Sequence, residues 1–553
     1  MTYAPGTADS AVSAVLAESV VQSVDWLAVA PPTIVAVAAV ALLVADLFVP
    51  GRAKHLLGWG AVAALALSLL ALLPLLDGDR GTFCLTGEPD VCSYTADRFA
   101  LVVQFLVLAG ALLAALLSVH DVRATRLPAG EFWFLLLASA AGAALLPAAR
   151  DLATLVIALE VASLPAFALV GLRRGDRLSA EAALKFFLSS VTATAVMLLG
   201  VSFVYAAGGS LHLAHLAHLA DGLAAAPERL ETLAAAGVVL TLVGFAFKTA
   251  AVPFHFWVPD TYVGAPIPVA AYLSVVGKAV GFSGLILVAV LAFPAYDHVW
   301  GPAIAVLAAL TMTAGNVAAL RQRLDAPHSA VRLLAWSSVA QAGYLLVPIA
   351  AAGYADEPGR AVGATLSYAL MYGVVNLGAF AVVAAVAAKG GRDSQGGRVT
   401  DYRGLAATRL PLALALAFFL INLAGLPPGI IGLFAKVAVL GAAVDAGLGW
   451  LGVVMAVNVV IGLYYYLKWT ALLFRPAAPA AETATPVSTA GTTGGTGSAG
   501  PVAPAAPAGT LRPAGTAPLT APLRGAIGLT AALGIALSGA PQLVLRFAGE
   551  ALL

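Results

Sequence analysis

The sequence predicts an all-α, polytopic membrane protein of about fourteen transmembrane helices, arranged as two inverted five-helix repeats in which helices 7 and 12 are broken. Three observations predict it. Of 553 residues, 61% are hydrophobic and only 10% charged, where a soluble domain carries about 25% charged residues. Apolar runs of roughly 20 residues recur along the whole chain between short charged loops, the length a helix needs to cross hydrocarbon while satisfying its own backbone. Prolines gather at two places inside such runs, Pro253 to Pro268 and Pro427-Pro428, where a spanning helix must open. A net charge of +1 gives no reason to expect a nucleic-acid partner.

In order, the spans are expected near 28–49, 56–76, 98–119, 131–148, 151–171, 182–207, 234–254, 268–293, 300–320, 329–350, 360–388, 409–444 (interrupted), 449–474 and 523–545. The turn at Arg150-Asp151 makes the fourth and fifth a tight hairpin. The first 27 residues contain no Lys or Arg and no compact apolar core, so no cleavable signal peptide is expected. With the N-terminus outside, the alternating loops carry eighteen Lys and Arg inside against six outside, which predicts both termini outside. The organisation follows: an outside segment 1–27, helices 1–3 over 28–119, a first repeat (helices 4–8) over 131–293, a second (helices 9–13) over 300–474, an Ala/Pro/Thr/Gly linker over 476–522 expected to be disordered, and a last span within 523–553. The linker's Gly495-Thr496-Gly497-Ser498-Ala499-Gly500 fits a dinucleotide-binding spacing, but no strand precedes it and no helix follows, so it reads as chance. Cys84 and Cys92, the only cysteines, fall outside, as a disulfide or as two free thiols. They are too few for an iron–sulfur cluster.

Five cations remain within spans: Lys185, Lys248, Lys278, Lys436 and Lys468. All are lysine, although the chain holds 22 arginines against 7 lysines. The choice has a physical meaning. Arginine stays protonated in proteins, whereas a lysine in an apolar setting can gain and lose its proton. Each such charge costs about 2.5–3.5 kcal/mol at a helix centre and needs a partner or water. Glu160, near the middle of the fifth span, is the expected partner of Lys248, a pair in which moving one proton perturbs the other. Lys185 sits one turn into its span, so it reads either as a station or as a side chain snorkelling to the inner surface. Lys468, beside Trp469 at a span end, reads as an interfacial anchor.

Lys248 and Lys436 each lie next to a proline break, in spans five apart and therefore oppositely oriented, as in an inverted repeat. His255 follows the first break, and Ser337, Ser338, Gln341 and Tyr344 make the tenth span polar, with Asn376 and Asn458 beyond. Membrane Ser and Asn serve either as helix–helix glue or as a relay. Taken in order, Glu160, Lys248, Lys278, the polar tenth span and Lys436 trace a lateral hydrophilic axis. His212, His215 and His218 lie on roughly one face of a short outside helix, read as a surface helix over a metal site.

At these residues the chain resembles a known family. The carriers are Asp46-Leu47-Phe48, LEVASLPAFALVG (159–171), EAALKFFLSS (181–190), FKTAAVPFHFWVPDTYVGAPIPV (247–269), GNVAALRQ (315–322), LLAWSSVAQAGYL (333–345), NLGAF (376–380), DYRGLA (401–406), LAGLPPGIIGLFAKVAVL (423–440) and NVVIGLYYYLK (458–468). Together they are similar to subunit N (subunit 2) of proton-pumping NADH–quinone oxidoreductase, respiratory complex I. The superfamily also holds the L and M subunits and multisubunit cation/proton antiporters; VPDTYVGAPIPVAAYLSVVGK and the lysine at 436 favour N. The resemblance implies that Glu160 pairs with Lys248, that Lys185 and Lys278 are the family's sixth-span and central lysines, and that Lys436 leads to the exit side. It implies secondary roles for His255, Gln341 and Tyr344, with Gln341 standing where many members have histidine. It further implies a multi-pass protein of a bacterial cell membrane, M-type and K/J/A-type membrane-arm neighbours, and NADH, FMN, iron–sulfur clusters and quinone used elsewhere in the complex, none bound by this chain. The alternatives are an antiporter subunit and a membrane-arm spacer that carries no proton.

Overall fold

The computed structural model describes residues 24–223, 228–388, 397–476 and 519–544. Residues 477–518 of the expected linker over 476–522 and most of the expected N-terminal segment lie outside the described residues. We number the long helices α1 (Ala30–Phe48), α2 (His55–Leu70), α3 (Arg98–Ala124), α4 (Ala129–Leu145), α5 (Leu152–Val170), α6 (Arg177–Gly208), α7 (Glu228–Lys248), α8 (Trp257–Gly264), α9 (the continuous stretch Ile267–Ala292), α10 (Asp297–Arg321), α11 (Ser329–Ala352), α12 (Pro358–Ala387), α13 (Leu410–Ala424), α14 (Ile430–Asp445), α15 (Gly449–Phe474) and α16 (Ala521–Gly539). Among the described residues thirteen helical stretches are long and apolar enough to cross a membrane. The twelfth expected span, which is not among the thirteen, is the pair α13 and α14, each too short alone. The seventh is α7 followed by the short α8.

Both breaks fall where the prolines are, for backbone reasons. After Lys248 the chain passes through Ala250, in a left-handed φ of +61°, to Val252 and Pro253. The seventh span thus stops at Lys248, not at the expected 254, because a left-handed residue cannot continue a right-handed helix. After Ala424, Gly425 takes φ +84° and Pro427-Pro428 follow, so the last carbonyls of α13 have no helical partners.

The interior is made by α9 and α11, 89% and 94% of whose apolar windows are buried, whereas α1 and α6 are largely open on one side at 22% and 28%. The middle of the axis, Lys278, Gln341 and Tyr344, therefore sits on the most enclosed helices. α10 and α11 run along each other, and small residues let their backbones close up. A Cβ on Gly315 would come within 2.4 Å of the Ala340 nitrogen, and one on Gly343 within 2.3 Å of the Met312 nitrogen.

One element departs from an all-helical reading. The segment between α2 and α3, expected as a loop, forms an antiparallel hairpin of β1 (Arg80–Leu85) and β2 (Glu88–Ala96). Cys84 faces Cys92 across it and the two are disulfide-bonded. The hairpin ties down its surroundings. Arg80 pairs with Asp25 at 3.1 Å, Tyr94 donates to the Ala28 carbonyl at 3.1 Å, and the Arg150 amide donates to Ser93 O at 2.8 Å. The α4–α5 turn is closed by Asp151, which accepts from the Thr154 amide at 2.8 Å as an N-cap, and by the Arg150–Asp97 ion pair.

Candidate functional site

Lys248 is the last residue of α7, and its backbone is wedged against α9: a Cβ on Gly281 would meet the Lys248 carbonyl carbon at 2.8 Å. The next turn is received by Thr311 of α10, whose Oγ1 accepts from the Val252 amide at 2.9 Å. So held, the Lys248 side chain, in a residue only 8% exposed, reaches between α5 and α6. Its Nζ donates to Ser163 Oγ at 2.7 Å and to Ser190 Oγ at 2.8 Å. The rings of Phe167 and Phe247 flank it at 5.6 and 5.9 Å.

The expected direct Glu160–Lys248 pair is not formed. Glu160 Oε1 accepts from Thr194 Oγ1 at 2.7 Å, and no ion pair within 4.0 Å joins it to the lysine among the described residues. The reason is register. Ser163 is one turn on from Glu160 along α5, and Thr194 one turn on from Ser190 along α6. The ammonium enters at the serine level, the carboxylate rests at the threonine level, and a hydroxyl pair stands between.

On its other side Lys248 borders a cavity of about 30 Å³ shared with Ser139, Ser163, Tyr272 and Gly277, enough for about one water. Tyr272 of α9 donates to Ser139 Oγ at 2.8 Å, and Ser139 donates to the Ala162 carbonyl at 2.6 Å. One π-helical turn, Leu273–Gly277, lines this cavity and leads into Lys278. Lys278 is 4% exposed. It donates to the Ser338 carbonyl of α11 and lies 5.7 Å from the centre of the Tyr372 ring. The Ser338 hydroxyl bonds to Tyr372 OH at 2.8 Å and Tyr262 OH at 3.4 Å.

Along α11 the line continues without a charge. Gln341 donates to Tyr466 OH at 3.1 Å and to the Leu423 carbonyl at 3.4 Å, and accepts from Tyr368. Tyr344 accepts from Asn316 Nδ2 at 3.1 Å, and Asn316 joins Tyr465 and Asn458. Lys436, 7% exposed on α14, closes the line. Its Nζ donates to the carbonyls of Leu423 and Ala424 at 2.9 and 2.8 Å, over the Tyr344 ring at 5.4 Å. These are the last carbonyls of α13, so the amine caps a broken helix at its negative end. Gln341 and Lys436 share the Leu423 carbonyl.

Lys185 and His255 stand apart from this line. Lys185 is 47% exposed at its side chain and pairs with Asp260 and Glu181, both at 2.8 Å, with Arg332 a further 3.7 Å partner of Asp260. His255, in the connection between α7 and α8, lies beside Trp336 at 5.8 Å. Lys468 is exposed, its Nζ 5.6 Å from the Tyr464 ring. Among the three outside histidines, His215 bonds Glu88 at 2.8 Å and Ser210 at 2.9 Å. Among the described residues no three His, Cys, Asp or Glu side chains gather as metal ligands. Sequence reasoning missed Ser163, Ser190, Thr194, Tyr272, Tyr372 and Tyr466. The signal available was spacing: Ser163 follows Glu160 by three, and Ser190 and Thr194 are four apart on one helix face.

A membrane-domain family described as NADH:quinone oxidoreductase/Mrp antiporter matches residues 149–462, which hold both breaks and all three buried lysines. NADH-quinone oxidoreductase subunit N 2 of Streptomyces griseus is 67% identical over 541 residues, 97% of this chain and 95% of the relative. Subunit N of Salinispora tropica is 46% identical, covering 83% and 87%. Among solved structures, a chain of Thermus thermophilus respiratory complex I superposes with a TM-score of 0.69 at 31% identity, over 93% of this chain and 98% of that one. A chain of the Dietzia Mrp complex, at 23% identity and TM-score 0.74 over 95% and 97%, shares the fold. The chain belongs to the subunit N family of NADH-quinone oxidoreductase, within the NADH:quinone oxidoreductase/Mrp antiporter membrane domains.

Proposed function

We propose that this chain is a proton-translocating membrane-arm subunit of a bacterial NADH–quinone oxidoreductase, working beside other membrane-arm subunits, and that protons move along the line Glu160, Lys248, Lys278, Gln341 with Tyr344, and Lys436. Electron transfer, with NADH, FMN, iron–sulfur clusters and quinone, belongs to other subunits of the complex, and this chain contributes to the enzyme as its translocating part. The single observation that carries the reading is that three enclosed lysines hydrogen-bond to hydroxyls and carbonyls and to no carboxylate among the described residues. A carboxylate would pin the ammonium form. A hydroxyl accepts from an ammonium and, turned about, donates to an amine. An amine with two N–H bonds serves two carbonyls as an ammonium does. Each station can therefore hold or release a proton without stranding a buried partner.

In this reading, changes at the quinone end reach Glu160 first. Its charge acts on Lys248 across the Thr194–Ser190 level; Lys278 receives the proton through the small cavity; Gln341 and the tyrosines pass it by water or hydroxyl exchange; Lys436 delivers it outward. Moving one charge against 100 mV takes about 2.3 kcal/mol, the work of a pKa swing of roughly two units at 1.36 kcal/mol each. The two breaks, each with its lysine, support the reading of residues 131–293 and 300–474 as two inverted repeats, and the arginine-rich loops support both termini outside. Lys185, tied to two carboxylates at the surface, fits an entry-side role better than a place inside the line.

The test is NADH-driven proton uptake in inverted membrane vesicles carrying Lys248→Met, with assembly and electron transfer to quinone followed in parallel. Loss of pumping in an assembled complex is the expected result. Wild-type pumping would leave the lysine a structural part of a passive spacer.

A further inference from the structure

The proton line leaves Asn376 of α12 without a role. The residue is fully buried, and it meets α9 at the π-helical turn Leu273–Gly277, just before Lys278. Its Nδ2 donates to Ser274 Oγ at 2.6 Å, and Ser274 donates onward to the Ala271 carbonyl at 2.7 Å. The second bond fixes the first. A hydroxyl that gives its one hydrogen to Ala271 can only accept from the amide, so the amide nitrogen faces Ser274 and the amide oxygen is the free end. Asn376 Oδ1 is sealed from solvent, and among the described residues nothing donates to it. A buried acceptor left unpaired is costly, and π turns gather at functional sites.

The surroundings of this oxygen form a square. Ser274 and Lys278 are four apart on α9, and Tyr372 and Asn376 are four apart on α12, so each pair stands about one turn apart on its own helix. Ser274 meets Asn376 at one level, and the Lys278 Nζ lies 5.7 Å from the centre of the Tyr372 ring at the next. The ammonium is therefore about one turn from Asn376, a span that the flexible four-carbon stem of lysine covers. Tyr372 joins the two levels. Its hydroxyl bonds Ser338 Oγ at 2.8 Å, and its ring face attracts an ammonium passing over it. The two acceptors differ in what they lose. The Ser338 carbonyl lies within α11 and keeps a helical amide four residues on, whether or not Lys278 is beside it. Asn376 Oδ1 has no such second donor among the described residues.

We propose that Asn376 is a second acceptor for Lys278: the Nζ moves between the Ser338 carbonyl and Asn376 Oδ1, one turn apart, and Asn376 thereby positions the lysine at the level of the π turn that lines the Lys248 cavity. At Asn376 the lysine serves the half of the line that holds Lys248. At Ser338 it serves α11, with Gln341 and Lys436 beyond. Both acceptors are neutral, so neither pins the ammonium, and only hydrogen bonds are exchanged. Asn376 is a positioning residue, acting through Lys278. The inference rests on the reading of Lys278 as a proton station, while the contact itself is open to a test that does not depend on pumping.

The experiment uses the whole complex in inverted membrane vesicles, with the yield of assembled complex measured beside NADH-driven proton uptake. Asn376→Leu removes the acceptor at nearly constant volume, and uptake per assembled complex should fall at least about tenfold, the scale of losing one charge-assisted hydrogen bond. Ser274→Ala removes only the partner of Nδ2, and its uptake should stay close to wild type. Equal uptake by these two variants would make Asn376 helix–helix glue and overturn the inference. Assembly gives the second measure. Asn376→Asp should assemble, because Lys278 neutralises the new carboxylate, and should stop uptake by holding the ammonium. Adding Lys278→Met strands that carboxylate, so the assembled yield should fall well below that of either single variant. An aspartate variant that assembles equally well with and without Lys278 overturns the inference whatever the pumping. Lys278→Met alone reports on the proton reading beneath it. Wild-type uptake there would overturn that reading, whereas lost uptake there with equal pumping by Asn376→Leu and Ser274→Ala overturns the inference alone.

Discussion

Replacing Lys436 separates its two jobs. The Nζ holds the last two carbonyls of α13, Leu423 and Ala424, at 2.9 and 2.8 Å. Lys436→Met removes both donors at once. Each buried carbonyl left unpaired costs about 1–3 kcal/mol, so the loss is about 2–6 kcal/mol, reduced by whatever Gln341 recovers at the Leu423 carbonyl it already shares at 3.4 Å. Lys436→Gln is the informative variant, because its amide carries two N–H donors for the same two carbonyls but cannot titrate. The methionine variant should melt earlier than wild type and assemble poorly. The glutamine variant should assemble and melt close to wild type yet fail to pump. The assay is thermal melting of the purified complex beside NADH-driven proton uptake in inverted vesicles. If the glutamine variant pumps at the wild-type rate, Lys436 is only a helix cap, and the reasoning that a titrating group is needed at the second break is refuted.

Other consequences follow from the same geometry. Glu160→Gln keeps an acceptor for Thr194 but removes the charge, so assembly should hold while coupled NADH oxidation falls several-fold; unchanged coupling in oxidase assays would show that the carboxylate does not signal to Lys248. Gly281→Val would drive a side chain into the Lys248–Thr249 backbone, where even a Cβ meets atoms at 2.8–3.0 Å, and overpacking of this kind costs about 1–3 kcal/mol or more; the readout is the yield of assembled complex, and a wild-type yield would show that α9 does not clamp the break. Reducing or replacing the Cys84–Cys92 pair, which closes a separation of 8 residues, should remove about 2.5 kcal/mol of loop-closure stabilisation, seen as faster proteolysis of the hairpin, with pumping unaffected; equal proteolysis would place the hairpin's order in its contacts with Asp25 and Arg150 alone.

Much of the architecture is legible in the residues because lipid imposes a simple rule. A helix that must satisfy its own backbone shows as a run of apolar residues, and each proline cluster shows where it cannot. The ends are less legible. The seventh span stops at Lys248 because of a left-handed Ala250, and nothing about an alanine announces that conformation. The hairpin around Cys84 hides because its alternation is short and sits between two strong helices, although Thr86-Gly87 between residues suited to strands is a turn signal. At the site, the buried lysines are visible in sequence because charge is rare there. Their partners are not, since serine and tyrosine are common in membrane helices and only packing shows which face a lysine. The direct Glu160–Lys248 pair fails for this reason: the two residues are one turn apart in level, so the ammonium meets Ser163, one turn on from Glu160 along the same face of α5, and Ser190.

The central claim is that a proton passes through this chain, and Lys278, joining the two halves of the line, tests it most directly. The measurement is the ratio of protons taken up to NADH oxidised in inverted vesicles bearing Lys278→Gln in a fully assembled complex. The account predicts a ratio below wild type, or NADH oxidation arrested together with pumping. A wild-type ratio at a wild-type rate would contradict it.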